Sequence, residues 1–165
     1  MSGPGLGHLF APWRFTYVKE ASRESVACIF CLARDGGKET LTITRGERVF
    51  ALLNRYPYTT GHLMVAPNVH AGDITKLDRE TLSELMAMAQ KLVRALEKVY
   101  QPHGFNLGFN LGEAAGAGIV DHLHLHVVPR FRGDTNFMTT NANVRVIPED
   151  LAQTWEKITS ALEEE

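Results

Sequence analysis

Three histidines at alternate positions, His122, His124 and His126, are the residues in this chain best suited to chemistry, because imidazole changes protonation near neutral pH. They stand in Asp121-His122-Leu123-His124-Leu125-His126-Val127-Val128-Pro129-Arg130. Side chains alternate faces along a strand, so the imidazoles share one side while Leu123, Leu125 and Val127 anchor the other on a core. A neutral imidazole can attack phosphorus if its second ring nitrogen donates to an acceptor that supports the developing positive charge. Donors around the equatorial oxygens must then receive the charge of the transition state. Flanking histidines and the backbone amides of the glycine-rich run Gly112 to Gly118 are placed to supply them. Two other readings of the row are a half-exposed strand whose polar face happens to be histidine, and a three-histidine metal face.

A second cluster is the pair Cys28 and Cys31 in Cys-Ile-Phe-Cys. One CxxC is half of a tetrahedral metal site. Buried reduced thiols are the alternative, and a thioredoxin-like redox pair fits poorly because no βαβ pattern surrounds the motif.

The elements that must position these groups can be read from hydrophobic spacing. Leu41 to Thr44, Val49 to Asn54, His62 to Ala66, Phe105 to Leu111 and His122 to Val128 have strand character, the third stopped at Pro67 and the last closed by Pro129. Leu82, Leu85, Met86, Ala89, Leu92, Val93, Leu96 and Val99 recur at steps of three and four, which predicts a helix from about Asp78 to Tyr100. Asp78 is its expected N-cap, and Met86 and Met88 are expected to pack it. A C-terminal helix is expected with Pro148 in its first turn and Leu151, Trp155, Ile158 and Leu162 on one face. The sum is an α+β domain on an antiparallel sheet, with residues 1–12 as a flexible lead and 13–165 as one domain.

Composition narrows the function. The 165 residues hold 17 Lys and Arg against 19 Asp and Glu, which excludes the basic footprint of a protein that coats nucleic acid polymers. No apolar run approaches the roughly 18–20 residues of a membrane span. The first ten residues lack the basic start and apolar core of a signal peptide, which points to the cytoplasm. His8 and His103 read as solvent-exposed, and Trp13 as core packing or a stacking surface.

His-Leu-His-Leu-His-Val-Val at 122 to 128 resembles in full the motif of the histidine triad (HIT) superfamily of nucleotide hydrolases and transferases. The likeness extends through Phe50 to Pro57, Gly61 to Pro67 and Asn110 to Gly116, which resemble the family's nucleoside-binding strands and phosphate-side segment. Ala11 to Arg14 and Pro129 to Met138 resemble the microbial branch related to diadenosine tetraphosphate phosphorylase. The resemblance implies a HIT-like fold and cleavage of dinucleoside polyphosphates, or of nucleoside phosphoramidates, at the α-phosphate through a nucleotidyl-histidine. His124 would be the nucleophile, His126 would orient the α-phosphate, and His62 would support the cluster. Asn54 would hold the ribose hydroxyls and Asn110 the phosphate or bridging oxygen, with Gly116, Gly118 and Ile119 also at the substrate. Gly-Ala-Gly-Ile at 116–119 departs from the Gly-Gln-[Ser/Thr] of many relatives and so lacks their side-chain donor to the leaving group. Water as acceptor gives a hydrolase, phosphate gives a phosphorylase, and a nucleotide-binding protein without turnover is a third reading. The resemblance further implies a structural zinc on Cys28, Cys31, His70 and His122, no organic cofactor, and a homodimer through the long helix and its neighbouring strand.

Overall fold

The computed structural model describes residues 28–134 and 148–164. Trp13, His8, the Ala11 to Arg14 segment and most of the stretch after Arg132 lie outside them. Five strands form one antiparallel sheet: β1 (Thr42–Arg45), β2 (Val49–Leu53), β3 (Leu63–Pro67), β4 (Gly104–Phe109) and β5 (Leu125–Arg130). Their order is β1-β2-β3-β5-β4, so β5 is inserted beside β3 and β4 is left at the edge. Among the described residues three α-helices complete the α+β domain: α1 (Ile29–Asp35), α2 (Arg79–Tyr100) and α3 (Leu151–Glu163). Among the described residues no helix is long and apolar enough to cross a membrane.

β2 and β3 are buried at every position, because both faces of the sheet are covered there. Val49, Ala51, Leu53, Leu63 and Val65 join Leu125 and Val127 against α2 and α3. The alternate residues Phe50, Leu52, Met64 and Ala66 turn to the other face and meet Phe30 and Ala33 of α1. α1 is only 7 residues long, so it roofs that second face over β2 and β3 and stops short of β4, where Asn106, Leu107 and Gly108 are exposed. His126 pairs with Met64 and Gly108, so it lies on the same face, at the edge of the α1 roof.

α2 begins where its periodicity implies, with Asp78 accepting the Thr81 amide at 2.7 Å, and ends at Gln101 in the left-handed region. Met88 packs the core, but Met86 is 53% exposed, a correction to the packing role expected of both. α3 starts at Leu151, because the Asp150 carboxylate caps the Gln153 amide, and Pro148 stands ahead of the helix instead of in its first turn. Thr154, Ile158, Ala161 and Leu162 are its buried face.

The histidine strand differs from expectation at both ends. Ladder pairing starts at Leu125, so His122 and His124 lie on the approach to the strand. That approach is held by the Leu123 amide, which donates to Ala71 O at 2.8 Å. At the far end β5 passes through Pro129 to Arg130. Pro129 O accepts from Thr59 Oγ1 at 2.8 Å, so its missing N–H faces the loop before β3, where no ladder bond is owed.

Candidate functional site

The proton on each imidazole follows from its fixed partners. His62 is fully buried, and its Nδ1 receives the Tyr58 main-chain N–H at 3.1 Å. An amide N–H can only donate, so His62 Nδ1 holds a lone pair and Nε2 holds the proton. Nε2–H then donates to His126 Nδ1 at 3.0 Å, which leaves His126 Nε2 as an N–H directed away from His62. The Asn110 amide nitrogen, Nδ2, lies 3.5 Å from that nitrogen, so the two are neighbouring donors on the same side of the ring.

His124 carries its proton at the opposite atom. Nδ1 lies 2.9 Å from His122 O, and a carbonyl can only accept, so Nδ1 is protonated and Nε2 has the lone pair. The ring is 7% exposed, and burial pushes its pKa below the ordinary imidazole value despite the opposing pull of the carbonyl. The two neighbouring rings, edge to face with centroids 5.0 Å apart, therefore differ in kind: His124 offers an electron pair and His126 offers a proton. That is the pairing required to attack phosphorus and to meet the oxygens that gain charge.

Aromatic rings hold both imidazoles. Phe30 stacks on His124 at 4.7 Å and 28°, and touches His122 at 5.1 Å. Tyr58 packs against His62 at 4.5 Å and against His126 at 5.9 Å. Neither was singled out from the sequence, although Phe30 lies inside the CxxC and Tyr58 four residues before His62.

The residues expected on the substrate side are placed as follows. Asn54 Oδ1 accepts the Tyr56 amide at 2.9 Å and its amide nitrogen lies 3.4 Å from His62 Nδ1, so the side chain braces the buried histidine. Gly116 adopts φ 86°, and its amide donates to Glu113 O, as the Ala117 amide does to Gly112 O. Those two amides are spent inside the loop, which shortens the set of donors expected there. Gly118 is half-buried in the same loop, and Ile119 packs on the Phe30 cluster. A cleft of about 350 Å³ begins at His126 and Asn110 and runs past Tyr58, Asn106 and Gly108 to Arg130.

Cys28, Cys31, His70 and His122 converge, with one ligand atom from each within 4.8 Å of all the others. Cys28 Sγ lies 3.3 Å from His122 Nδ1, Cys31 Sγ lies 3.3 Å from His70 Nδ1 and 3.7 Å from His122 Nδ1. Tetrahedral zinc, with bonds of about 2.3 Å to sulfur and 2.05 Å to nitrogen, separates S and N ligands by about 3.6 Å. His122 Nε2–H donates to Pro67 O at 2.9 Å, which turns the Nδ1 lone pair to the sulfurs as a ligating imidazole requires. Burial also holds the His122 pKa down. Burial and the neighbouring Cys28 push the Cys31 thiol up, a cost that a dication would reverse. The donor set thus fits zinc. The site joins α1, the loop after β3 and the histidine row, which are far apart in sequence.

The chain is similar to known proteins in sequence and in fold. The HIT domain profile matches residues 36–133. The chain is 42% identical over 157 residues to a Mycobacterium tuberculosis protein named AP-4-A phosphorylase, covering 90% of this chain and 80% of that one. A Zn-bound histidine triad family protein from Mycobacterium smegmatis superimposes with a TM-score of 0.67 at 30% identity, over 86% of this chain and 96% of the other. The Plasmodium falciparum diadenosine triphosphate hydrolase shares the fold, with a TM-score of 0.62 at 15% identity over 92% and 98%. From a profile match over more than half its length and a 42% identical relative, the chain belongs to the HIT domain family.

Proposed function

We propose that this protein is a nucleotidyltransferase that cleaves dinucleoside polyphosphates of the diadenosine tetraphosphate type at the α-phosphate. The observation that carries this reading is the opposed anchoring of the two rings: His124 Nδ1 rests on His122 O and His126 Nδ1 on His62 Nε2, so each ring has its Nε2 available to a substrate. His124 Nε2 forms a bond to the α-phosphorus as the bond from phosphorus to the bridging oxygen breaks, and the leaving nucleotide departs with that electron pair. The positive charge left on the His124 ring is shared through Nδ1–H with His122 O. His126 Nε2–H and Asn110 meet the phosphoryl oxygens or the bridging oxygen. In the second step an acceptor oxygen attacks phosphorus, the N–P bond breaks and His124 is regenerated. Asn54, which braces His62, is assigned to the ribose hydroxyls, with Gly116, Gly118 and Ile119 along the phosphate side.

Inorganic phosphate is the acceptor we favour, on the 42% identity with a protein named AP-4-A phosphorylase. Phosphorolysis of diadenosine tetraphosphate gives ADP and ATP, whereas hydrolysis gives AMP and ATP. Product analysis with and without phosphate tests this: ADP that depends on phosphate is expected, and equal AMP release in both buffers contradicts it. Replacing His124 by Ala with turnover unchanged contradicts the mechanism, and a wild-type protein that binds AMP but releases no product leaves nucleotide binding as its activity.

Zinc on Cys28, Cys31, His70 and His122 belongs to the same reading, supported by the donor geometry and by the Zn-bound relative. With four protein ligands it has no open position and serves to tie α1 to the histidine row. A homodimer is also proposed, because β4 is an edge strand with Leu107 43% exposed. Light scattering should give twice the mass of the chain, and a monomer contradicts it. A cytoplasmic setting suits reduced thiolate ligands.

A further inference from the structure

We infer that the cleft beyond His126 is the subsite for the leaving half of the substrate, and that its far end recognises an uncharged planar base through the face of the Arg130 guanidinium. This inference rests on the nucleotidyl-transfer reading above and adds to it where the second nucleoside binds. In-line displacement sends the leaving oxygen to the side of phosphorus opposite His124 Nε2. His126, Val128 and Arg130 follow one another along the same face of β5, in the direction away from His124. From His126 to Arg130 is four residues of strand, about 13 Å, a span for phosphates and a ribose. The cleft along this face has a volume of about 350 Å³, within the range of small-ligand sites.

The chemistry at the far end selects a base over a phosphate. Arg130 Nε and Nη2 donate to the two Asp134 carboxylate oxygens at 2.7 and 3.0 Å, and Nη1 donates to Asn106 Oδ1 at 2.6 Å. The pair is neutral as a whole, and the fork that would grip a phosphate is occupied. What a ligand meets is a guanidinium plane fixed in place, a surface on which a heterocycle stacks. Gly108, opposite His126, keeps the entrance of the cleft open: a Cβ built there meets no atom within 4 Å.

The test compares kcat/KM for diadenosine tetraphosphate with kcat/KM for adenosine 5′-phosphoramidate, which carries the same transferred adenylyl group and no second nucleoside. Arg130→Lys removes the fixed plane and keeps the charge, while Gly108→Val fills the cleft at a position whose backbone accepts a side chain. Each variant is expected to lower the ratio of the two constants by about tenfold or more, as the loss of one base-stacking contact does. Wild-type turnover of both substrates, with the ratio within twofold of wild type in both folded variants, overturns the leaving-group subsite alone. A wild-type protein that turns over neither substrate overturns the nucleotidyl-transfer reading and this one with it.

Discussion

The Phe30 ring lies on the His124 imidazole with centroids 4.7 Å apart and planes at 28°. Phe30 is 1% exposed and stands between the two cysteines of the cluster of Cys28, Cys31, His70 and His122, so the residues that would bind zinc also hold the surface against which His124 rests. Truncation to Ala removes a buried ring from the sheet face under α1. Phe30→Ala should destabilise the fold by about 3–5 kcal/mol in denaturant unfolding. A loss below about 0.5 kcal/mol, the size of a surface substitution, contradicts the packing assigned to the ring.

His62 sets the tautomer of His126 without itself lining the cleft. His62→Ala leaves His126 without its proton donor at Nδ1, so the ring can present either nitrogen to the phosphate. Turnover should fall by about 10²-fold or more with KM little changed, in line with the loss of a positioned acid–base group. Steady-state kinetics reads both constants, and kcat within twofold of wild type contradicts the relay.

Glu149 clamps α2 to α3 by accepting from Tyr100 Oη at 2.7 Å, Thr154 Oγ1 at 3.0 Å and Lys157 Nζ at 2.6 Å. Burial alone would raise its pKa, but those three donors outweigh burial and hold the carboxyl below its usual value. A carboxylate whose folded pKa is depressed stabilises the fold fully above its unfolded value. That stability is lost as pH falls through the folded one. Glu149→Gln should therefore cost about 1–3 kcal/mol at pH 7, and the gap to wild type should shrink as pH falls below about 4.5. A gap that stays constant down to pH 3 contradicts the assignment.

Metal analysis of the purified protein should find about one zinc per chain, and Cys31→Ser should lose it. Chelation should lower the unfolding midpoint, because metal binding to a preformed site is folding free energy. Zinc near zero in protein that is folded and active contradicts the cluster as a metal centre.

Much of this architecture was legible in the chain because period and capping are local. The spacing from Leu82 to Val99 and the Asp78 side chain mark α2, and the alternation at 122–128 places the imidazoles on one face. The convergence of Cys28, Cys31, His70 and His122 was legible through the resemblance to a family, since Cys28 and His122 are 94 residues apart and only the fold joins them. What stayed hidden depends on tertiary neighbours. Ladder pairing starts at Leu125 because the chain before it is held elsewhere: the Leu123 amide donates to Ala71 O, beyond the end of β3, and the His122 ring takes Pro67 O. Met86 is exposed because α3 and the sheet cover other sides of α2. The tautomer relay rests on the main-chain amide of Tyr58, a group that every non-proline residue has and that no motif can flag.

The proposed transfer requires a covalent bond between His124 Nε2 and the α-phosphorus. It is tested most directly by mixing the protein with diadenosine tetraphosphate in phosphate-free buffer, quenching at alkaline pH and mapping the product by mass spectrometry. The expected result is one adenylyl group on the peptide that carries His124, lost on adding the acceptor and absent in His124→Ala. Full turnover with no adduct at any time point, or an adduct on another residue that persists in His124→Ala, contradicts it.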